Sequence, residues 1–177
     1  DGGKHVAAAQ VSWGQTVTMI IGIDLGLSGA LSCIDKNGLV DMQDMPVMPR
    51  SVGGTVKQQV NAAGLRALLQ GWVNGHDKNE FFVLMERVNA MPKQGSASTF
   101  SLGHTAGIVE GVICAYGLAH DVIPPQVWKK HFKLTKDKDA ARALAQRYYP
   151  AASLARIKDH NRAESLLIAR YGWEIKG

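Results

Sequence analysis

The pattern of apolar and polar positions predicts three strands at the front of the chain. Residues 20–23 are an apolar run of strand-forming type that ends at Asp24, directly before a glycine-containing turn. Residues 30–36 alternate in the manner of a second strand, and the Asn-Gly pair that follows predicts a tight hairpin. Residues 39–45 supply a third strand, so the chain opens with an antiparallel three-stranded unit.

The middle of the chain predicts a helix and then a buried strand. Prolines and glycines mark residues 46–54 as a loop, and residues 57–73 carry leucines at helical spacing. Residues 80–85 are a short apolar run suited to a buried parallel strand, and this run ends at Glu86. Two predicted strands therefore each deliver a carboxylate at their ends.

A polar loop over residues 87–97 leaves the second of these strands, and loops at such places commonly contact substrate. Lys93 and Gln94 are its candidate contact residues. The helix predicted over residues 98–118 has a stripe of small residues at every fourth position, which packs either on its own sheet or against a second copy of the chain: Gly103, Gly107, Gly111 and Ala115.

The last third of the chain predicts a short strand over residues 121–123, a helix over 135–147 and a final helix from residue 159 or 160 to 171. Residues 126–133 interleave basic and aromatic side chains. Residues 126–177 hold 12 basic and 5 acidic side chains, which indicates either a surface that faces a polyanion or a solvated basic face. The candidate polyanion contacts are Lys129, Lys130, Lys136 and Lys138.

Size and composition predict one globular domain over residues 19–177, preceded by a leader over residues 1–18 that is disordered or was added for expression. Two cysteines in separate predicted elements favour neither a disulfide framework nor a zinc site, and they fit a reducing, intracellular compartment. The sequence has no apolar run of the length that crosses a membrane.

The order of the predicted elements is that of the ribonuclease H-like α/β fold, a mixed five-stranded sheet flanked by helices. In that order the ends of the first and fourth strands are neighbours, so we expect Asp24 and Glu86 to face the same space. On the last helix, Asn161 and Glu164 share the face that packs on the sheet. Glu164 is therefore the expected third acid.

Several oxygen ligands in one cleft beside a basic surface form the arrangement that holds Mg²⁺ for phosphodiester hydrolysis. Taken singly, each acid has a simpler interpretation. Asp24 is then a turn residue, Glu86 a surface acid, and Glu164 a charge favoured near a helix N-terminus. Their joint position in this element order favours the metal site.

Four motifs resemble the RuvC-type Holliday-junction resolvases, most closely the phage and chloroplast branch. They are IGIDLGLSGA at residue 21, LMERV at 84, PPQVWKK at 124 and NRAESLLIA at 161. The resemblance implies a homodimeric endonuclease that uses two Mg²⁺ ions per site to nick opposed strands of a four-way DNA junction. It also implies that Asp24, Glu86 and Glu164 are metal ligands, and it places the protein with DNA in a bacterial or phage-infected cytoplasm or in an organelle.

Asn161 departs from this pattern, since the family generally has Asp or His three residues before the last helical acid. An amide offers a neutral oxygen but neither the charge nor the basicity of a carboxylate. Either His160 or Asp159 takes over this role, or the chain is a weakened variant, for example through an Asp→Asn change. His160 has the better helical geometry, and Asp159 is better placed as an N-cap.

Three other functions fit parts of the sequence. An actin- or sugar-kinase-like ATPase also has a glycine turn after an Asp, but that fold needs two domains and more than 177 residues. A non-catalytic junction-binding protein would explain Asn161. A ribonuclease H-like processing nuclease for duplex or hybrid substrates would share every predicted ligand.

Overall fold

The computed structural model describes residues 17–89, 95–135 and 137–176. In that part of the chain the strands are β1 (Met19–Asp24), β2 (Ala30–Asp35), β3 (Gly38–Asp44), β4 (Val47–Val52), β5 (Thr55–Val60), β6 (Phe81–Glu86) and β7 (Ala119–Ile123). The α-helices are α1 (Ala62–Val73), α2 (Ser96–Tyr116), α3 (Pro125–His131), α4 (Lys138–Tyr148) and α5 (His160–Lys176). Short 3₁₀ turns precede β6 and α5.

Five of the strands form one mixed sheet in the order β3-β2-β1-β6-β7. Strand β1 is antiparallel to β2 and parallel to β6, with Ile23 opposite Met85. The carboxyl ends of β1 and β6 therefore lie side by side, which brings Asp24 next to Glu86. The predicted ribonuclease H-like fold, with its mixed five-stranded sheet, is confirmed.

Helix α5 packs on the middle of the sheet with its backbone close to that of β1. A Cβ atom added at Gly22 would lie 2.2 Å from the carbonyl oxygen of Ser165 and 2.3 Å from the backbone nitrogen of Ala169. The hydroxyl oxygens of Ser32 and Ser165 are 2.5 Å apart in the buried interface. A glycine at position 22 is thus required for α5 to approach this closely.

Each face of the sheet covers its own hydrophobic core. On one face α5, α4 and α3 contribute buried side chains such as Leu166, Ala145 and Trp128. On the other face α1 and α2 contribute Leu65 and Val109. The two-sided covering explains why β1 and β6 are apolar along nearly their whole length.

The predicted loop at residues 46–54 is wrong, because the structure has a β-hairpin there. Strands β4 and β5 pair only with each other, and Gly53 and Gly54 turn the chain with φ of 55° and 79°. The helix predicted from residue 57 begins at residue 62 instead, since Asn61 caps its first turn by accepting a hydrogen bond from the Gly64 N–H. Residues 57–60 belong to β5.

Other boundaries shift by a few residues. The predicted basic segment contains α3, and Asp137 caps α4, which begins three residues later than predicted. Helix α2 begins two residues earlier and ends at Gly117, which has a φ of 77°. Strand β7 begins two residues earlier, and α5 continues five residues further.

The stripe of small residues on α2 does not pack on the sheet of its own chain. The sheet-facing positions are instead Thr105, Val109 and Ile113. A Cβ atom added at Gly103, Gly107 or Gly111 would meet nothing within 4 Å. The stripe is exposed, so packing on the sheet does not explain it.

Candidate active site

Three carboxylates converge at one edge of the sheet. One oxygen each from Asp24, Glu86 and Glu164 can be chosen so that all three lie within 4.8 Å of one another. Among the described residues no other group of at least three His, Cys, Asp or Glu side chains is this close. Hard oxygen donors at this spacing fit a divalent cation such as Mg²⁺ or Mn²⁺.

The fold fixes each of these side chains on a rigid element. Asp24 is the last residue of β1 and is 8% exposed. Glu86 ends the parallel neighbour β6, and Glu164 lies in the second turn of α5, the helix that packs on β1. The carboxylates meet because two strand ends and one helix meet, and no loop flexibility is needed to assemble them.

Burying these carboxylates close together disfavours their ionised forms and raises the pKa values of Asp24 and Glu86. Burial, followed by the nearby charges of Glu164 and Glu86, raises the pKa of Asp24 well above its ordinary value. Burial also raises the pKa of Glu86, although a hydrogen bond from Trp128 and the charge of Lys129 act in the opposite direction. A bound cation would remove the repulsion that disfavours full ionisation.

Helix α3 supplies two groups that offset this repulsion. The indole Nε1–H of Trp128, which is fully buried, donates to Glu86 Oε2 at 2.8 Å. The ammonium of Lys129 donates to Glu164 Oε1 at 3.1 Å and lies 4.9 Å from the centre of the Trp128 ring. Trp128 is therefore a buried core residue that also orients Glu86, a contact that the sequence did not predict.

The positions considered for a fourth ligand lie around the start of α5. Asn161 donates its side-chain N–H to the carbonyl oxygen of Ser28, in the turn that follows Asp24. His160 is hydrogen-bonded through Nδ1 to the carbonyl oxygen of Ile157. His160 and Asp159 both lie outside the group of three carboxylates within the described part of the chain.

Asp159 has a structural role of its own. It is 2% exposed, accepts a hydrogen bond from the backbone N–H of Arg156, and pairs with the Arg156 guanidinium at 2.8 Å. These bonds hold the pKa of Asp159 below its ordinary value. Asp159 thus closes the 3₁₀ turn before α5 rather than capping α5 itself.

A groove of about 960 Å³ runs along α3 and the start of α4 and reaches Glu164. Three lysines line it together with Glu164: Lys129, Lys130 and Lys133. Lys133 was not singled out from the sequence, although its left-handed φ of 53° marks an unusual turn at the end of α3. The candidate residues Lys93, Gln94 and Lys136 lie outside the described residues, and Lys138 is the first residue of α4.

Comparison with known proteins gives matches only among solved structures. No family model and no curated protein matches the chain. The structure of Thermus thermophilus RuvC superposes with a TM-score of 0.52 at 15% identity, covering 85% of this chain and 90% of that one. The chain has the RuvC fold.

Two further solved structures match at similarly low identity. T. thermophilus RuvC in complex with a Holliday junction substrate has a TM-score of 0.51 at 14% identity, covering 85% of this chain and 90% of that one. The yeast mitochondrial Holliday junction resolvase Ydc2 has a TM-score of 0.41 at 14% identity, covering 91% of this chain and 80% of that one.

No helix in the described ranges is long and apolar enough to cross a membrane.

The raised pKa of Asp24 predicts how pH and metal change stability. The pKa of Asp24 is about 3.9 in the unfolded chain and higher in the folded, metal-free protein. As pH rises between these two pKa values, the unfolded chain loses its proton first, so the free energy of unfolding falls. Asp24→Asn removes that loss, so it should raise the metal-free melting temperature at pH 7.5. Mg²⁺ or Mn²⁺ at a hundred times Kd should stabilise the unmutated chain by about 2.7 kcal/mol, or roughly 5–10 °C.

Calorimetric melts with EDTA or metal, at several pH values, measure both effects. Asp24→Asn should show a much smaller metal response than the unmutated chain. Glu110→Gln, an exposed acid on α2, is the control and should behave like the unmutated chain. If metal raises the melting temperature of Asp24→Asn as much as that of the unmutated chain, Asp24 is not a metal ligand.

Position 161 gives a second prediction. In Asn161→Asp a carboxylate oxygen replaces the N–H that now meets the Ser28 carbonyl, and a negative charge is added one helical turn before Glu164. The metal-free melting temperature should therefore fall, while the metal-induced rise should exceed that of the unmutated chain. Asn161→Ala loses the same hydrogen bond without adding charge. It should therefore lower the metal-free melting temperature and leave the metal-induced rise unchanged.

The same melts test whether His160 fills the missing role. If Asn161→Asp shows no larger metal response and His160→Ala loses the response, the fourth ligand is His160. Binding isotherms for Mn²⁺ provide an independent readout of each variant.

Proposed function

We propose that this protein is a metal-dependent endodeoxyribonuclease that resolves four-way DNA junctions by paired nicks. The observation that carries the proposal is the group of three carboxylates, two at strand ends and one on α5 of a RuvC fold, beside a groove lined by Glu164 and lysines. The solved complex of T. thermophilus RuvC with a Holliday junction supports DNA of this shape as the substrate. The protein would then act wherever its DNA lies, in a cytoplasm or an organelle.

The proposed chemistry is hydrolysis of a phosphodiester bond. Two Mg²⁺ ions would supply an activated water and stabilise the leaving 3′ oxygen. Asp24, Glu86 and Glu164 would hold these ions, with Asn161 or His160 as the further ligand. The protein's own part is to keep the carboxylates ionised and oriented, which the Trp128 N–H does directly at Glu86.

Lys129 has a particular place in this chemistry. Its ammonium is bonded to Glu164 in the metal-free structure. A cation held by that carboxylate would compete with the ammonium, which would then be free to contact a phosphate in the lysine-lined groove. Lys129 therefore joins the active site, whereas Lys130 is exposed and is suited to a phosphate contact further along the DNA.

The remaining candidate contacts belong to the same proposal. Lys93, Gln94, Lys136 and Lys138 would be further DNA contacts. Each phosphate neutralised by such a residue contributes to the salt dependence of binding.

A catalytically weakened junction-binding protein is the second candidate. The observation that favours it is the amide at position 161, whose N–H donates a hydrogen bond to the carbonyl oxygen of Ser28. In that case junctions bind but are not cut. A related ribonuclease H-like processing nuclease would instead cut ordinary duplex or hybrid as readily as junctions.

Cleavage of labelled mobile and immobile four-way junctions, beside linear duplex and RNA–DNA hybrid, tests these candidates. We expect metal-dependent paired nicks in junctions and little cutting of the linear substrates. Glu86→Gln should abolish cleavage while junction binding in Ca²⁺ survives, because loss of a negative charge cannot weaken binding to phosphates. Metal-dependent cutting by Glu86→Gln would reject the site.

The outcome also separates the alternatives. Binding without cutting by the present chain, together with strong cutting by Asn161→Asp, identifies a weakened variant. Equal cutting of junction and duplex identifies a processing nuclease.

Paired nicks imply a homodimer, since one site cuts one strand and a junction has twofold symmetry. The exposed small-residue stripe of α2 supports this surface as the contact, because another backbone can approach it closely. Gly107→Leu should shift the protein toward monomer in analytical ultracentrifugation and cause singly nicked junctions to accumulate. Gly71→Leu, on an exposed face of α1, is the matched control, since its Cβ also meets nothing within 4 Å. A dimeric Gly107→Leu protein with coupled nicks would place the interface elsewhere.

A further inference from the structure

A second groove lies between the β4–β5 hairpin and the first half of α2. It has a volume of about 450 Å³ and is separate from the lysine-lined groove along α3. Two cations reach it from the hairpin, Arg50 from β4 and Lys57 from β5, and two rings reach it from α2, Phe100 and His104. Its other lining residues are Leu27, Gln58, Gln59, Ser96, Ala97, Ser101 and Thr105.

The charge of this groove is uniformly positive. Its lining residues include Arg50 and Lys57 but no Asp or Glu. Both cations are on exposed residues, and neither has a hydrogen bond or ion pair among those found in the described residues. A surface of this kind is complementary to a phosphate-bearing ligand.

Phe100 gives the groove an aromatic surface that the fold does not use. The residue is 74% exposed, far more than a core phenylalanine. The ring stacks on His104 with centroids 6.2 Å apart and planes 11° from parallel. This contact steadies the ring while leaving most of its surface open to a further flat partner.

The groove lies next to the candidate active site in the chain. Leu27, which lines it, is three residues beyond Asp24 in the turn after β1. Gly26 and Leu27 also line the adjoining hollow at the start of α2, together with Lys57. An extended ligand lying in the groove would therefore lead toward the turn that follows Asp24.

We propose that this groove binds a short unpaired stretch of single-stranded DNA, with its phosphates on Arg50 and Lys57 and a base stacked on Phe100. Basic residues along a groove with an exposed aromatic ring are the combination that holds single strands without reading their sequence. The volume is that of a small-ligand site and is too small for a double helix. The proposal rests on the proposed function in that DNA is the ligand, and it adds a contact outside the carboxylate site.

Fluorescence anisotropy with a labelled oligothymidine, in EDTA, tests the proposal without any need for metal or cleavage. Phe100→Ala should weaken binding about 5- to 150-fold, the equivalent of roughly 1–3 kcal/mol for one stacked base. Phe100→Trp should restore it. Arg50→Ala with Lys57→Ala should make the slope of log affinity against log salt shallower by about 1.4, for two single-strand phosphate contacts.

The control pair is Lys36→Ala with Arg66→Ala, two exposed cations outside the groove, and its affinity and slope should match the unmutated chain. Circular dichroism confirms folding of each variant. Unchanged oligothymidine affinity in folded Phe100→Ala, or an unchanged slope in the Arg50 and Lys57 pair, overturns the proposal.

Two further outcomes are distinguishable. If Phe100→Ala shifts sedimentation toward monomer and leaves oligothymidine binding intact, the groove receives a second copy of the chain and the proposal is wrong. Junction cleavage assayed on the same variants reports separately on the proposed function, since failure to cleave leaves the single-strand measurement readable.

Discussion

Mutual repulsion among three carboxylates is the constraint on which the rest of the site depends. Burial raises the pKa of Asp24, and the nearby charges of Glu164 and Glu86 raise it further. Such a group is tolerated only where rigid elements hold it and other groups partly compensate it. The paired strand ends and α5 provide the rigidity, and α3 provides the Trp128 N–H and the Lys129 ammonium. A bound cation would complete this compensation.

The carboxylates lie in the covered central sheet, whereas the β4–β5 hairpin and the exposed face of α2 lie outside it. The carboxylates lie on the central strands and on α5, which are covered on both faces of the sheet. The β4–β5 hairpin and the exposed face of α2 lie outside that centre, and the hairpin strands pair only with each other. Substitutions on the hairpin and on the exposed face of α2 can therefore accumulate without moving a carboxylate.

The centre of the fold was predictable from the sequence because its signals are local and strong. The apolar runs before Asp24 and Glu86 identify two buried strands, and their parallel pairing follows from the element order. The β4–β5 hairpin was missed because two prolines and two glycines indicate a loop, and its Gly53-Gly54 turn has no long apolar strands around it. Its Thr55–Val60 strand is largely exposed, so the alternation that identifies a strand is weak there.

Side-chain partners were harder to predict than elements. Glu164 was identified from helical periodicity, but its bond to Lys129 joins residues 35 positions apart on two different helices. The bonds of Trp128 to Glu86 and of Asn161 to Ser28 are likewise set by tertiary packing. Periodicity states which face a residue occupies and carries no information about which atom it meets across an interface.

The contact of α5 with β1 at Gly22 has a consequence for how this protein can change over time. At Gly22 the two elements meet through main-chain atoms, so a side chain added at this position would force them apart. Substitutions elsewhere in the two cores can loosen the protein while the separation of Asp24 and Glu164 stays nearly constant. A lineage of such proteins can therefore change in thermal stability and still inherit the same arrangement of the three carboxylates.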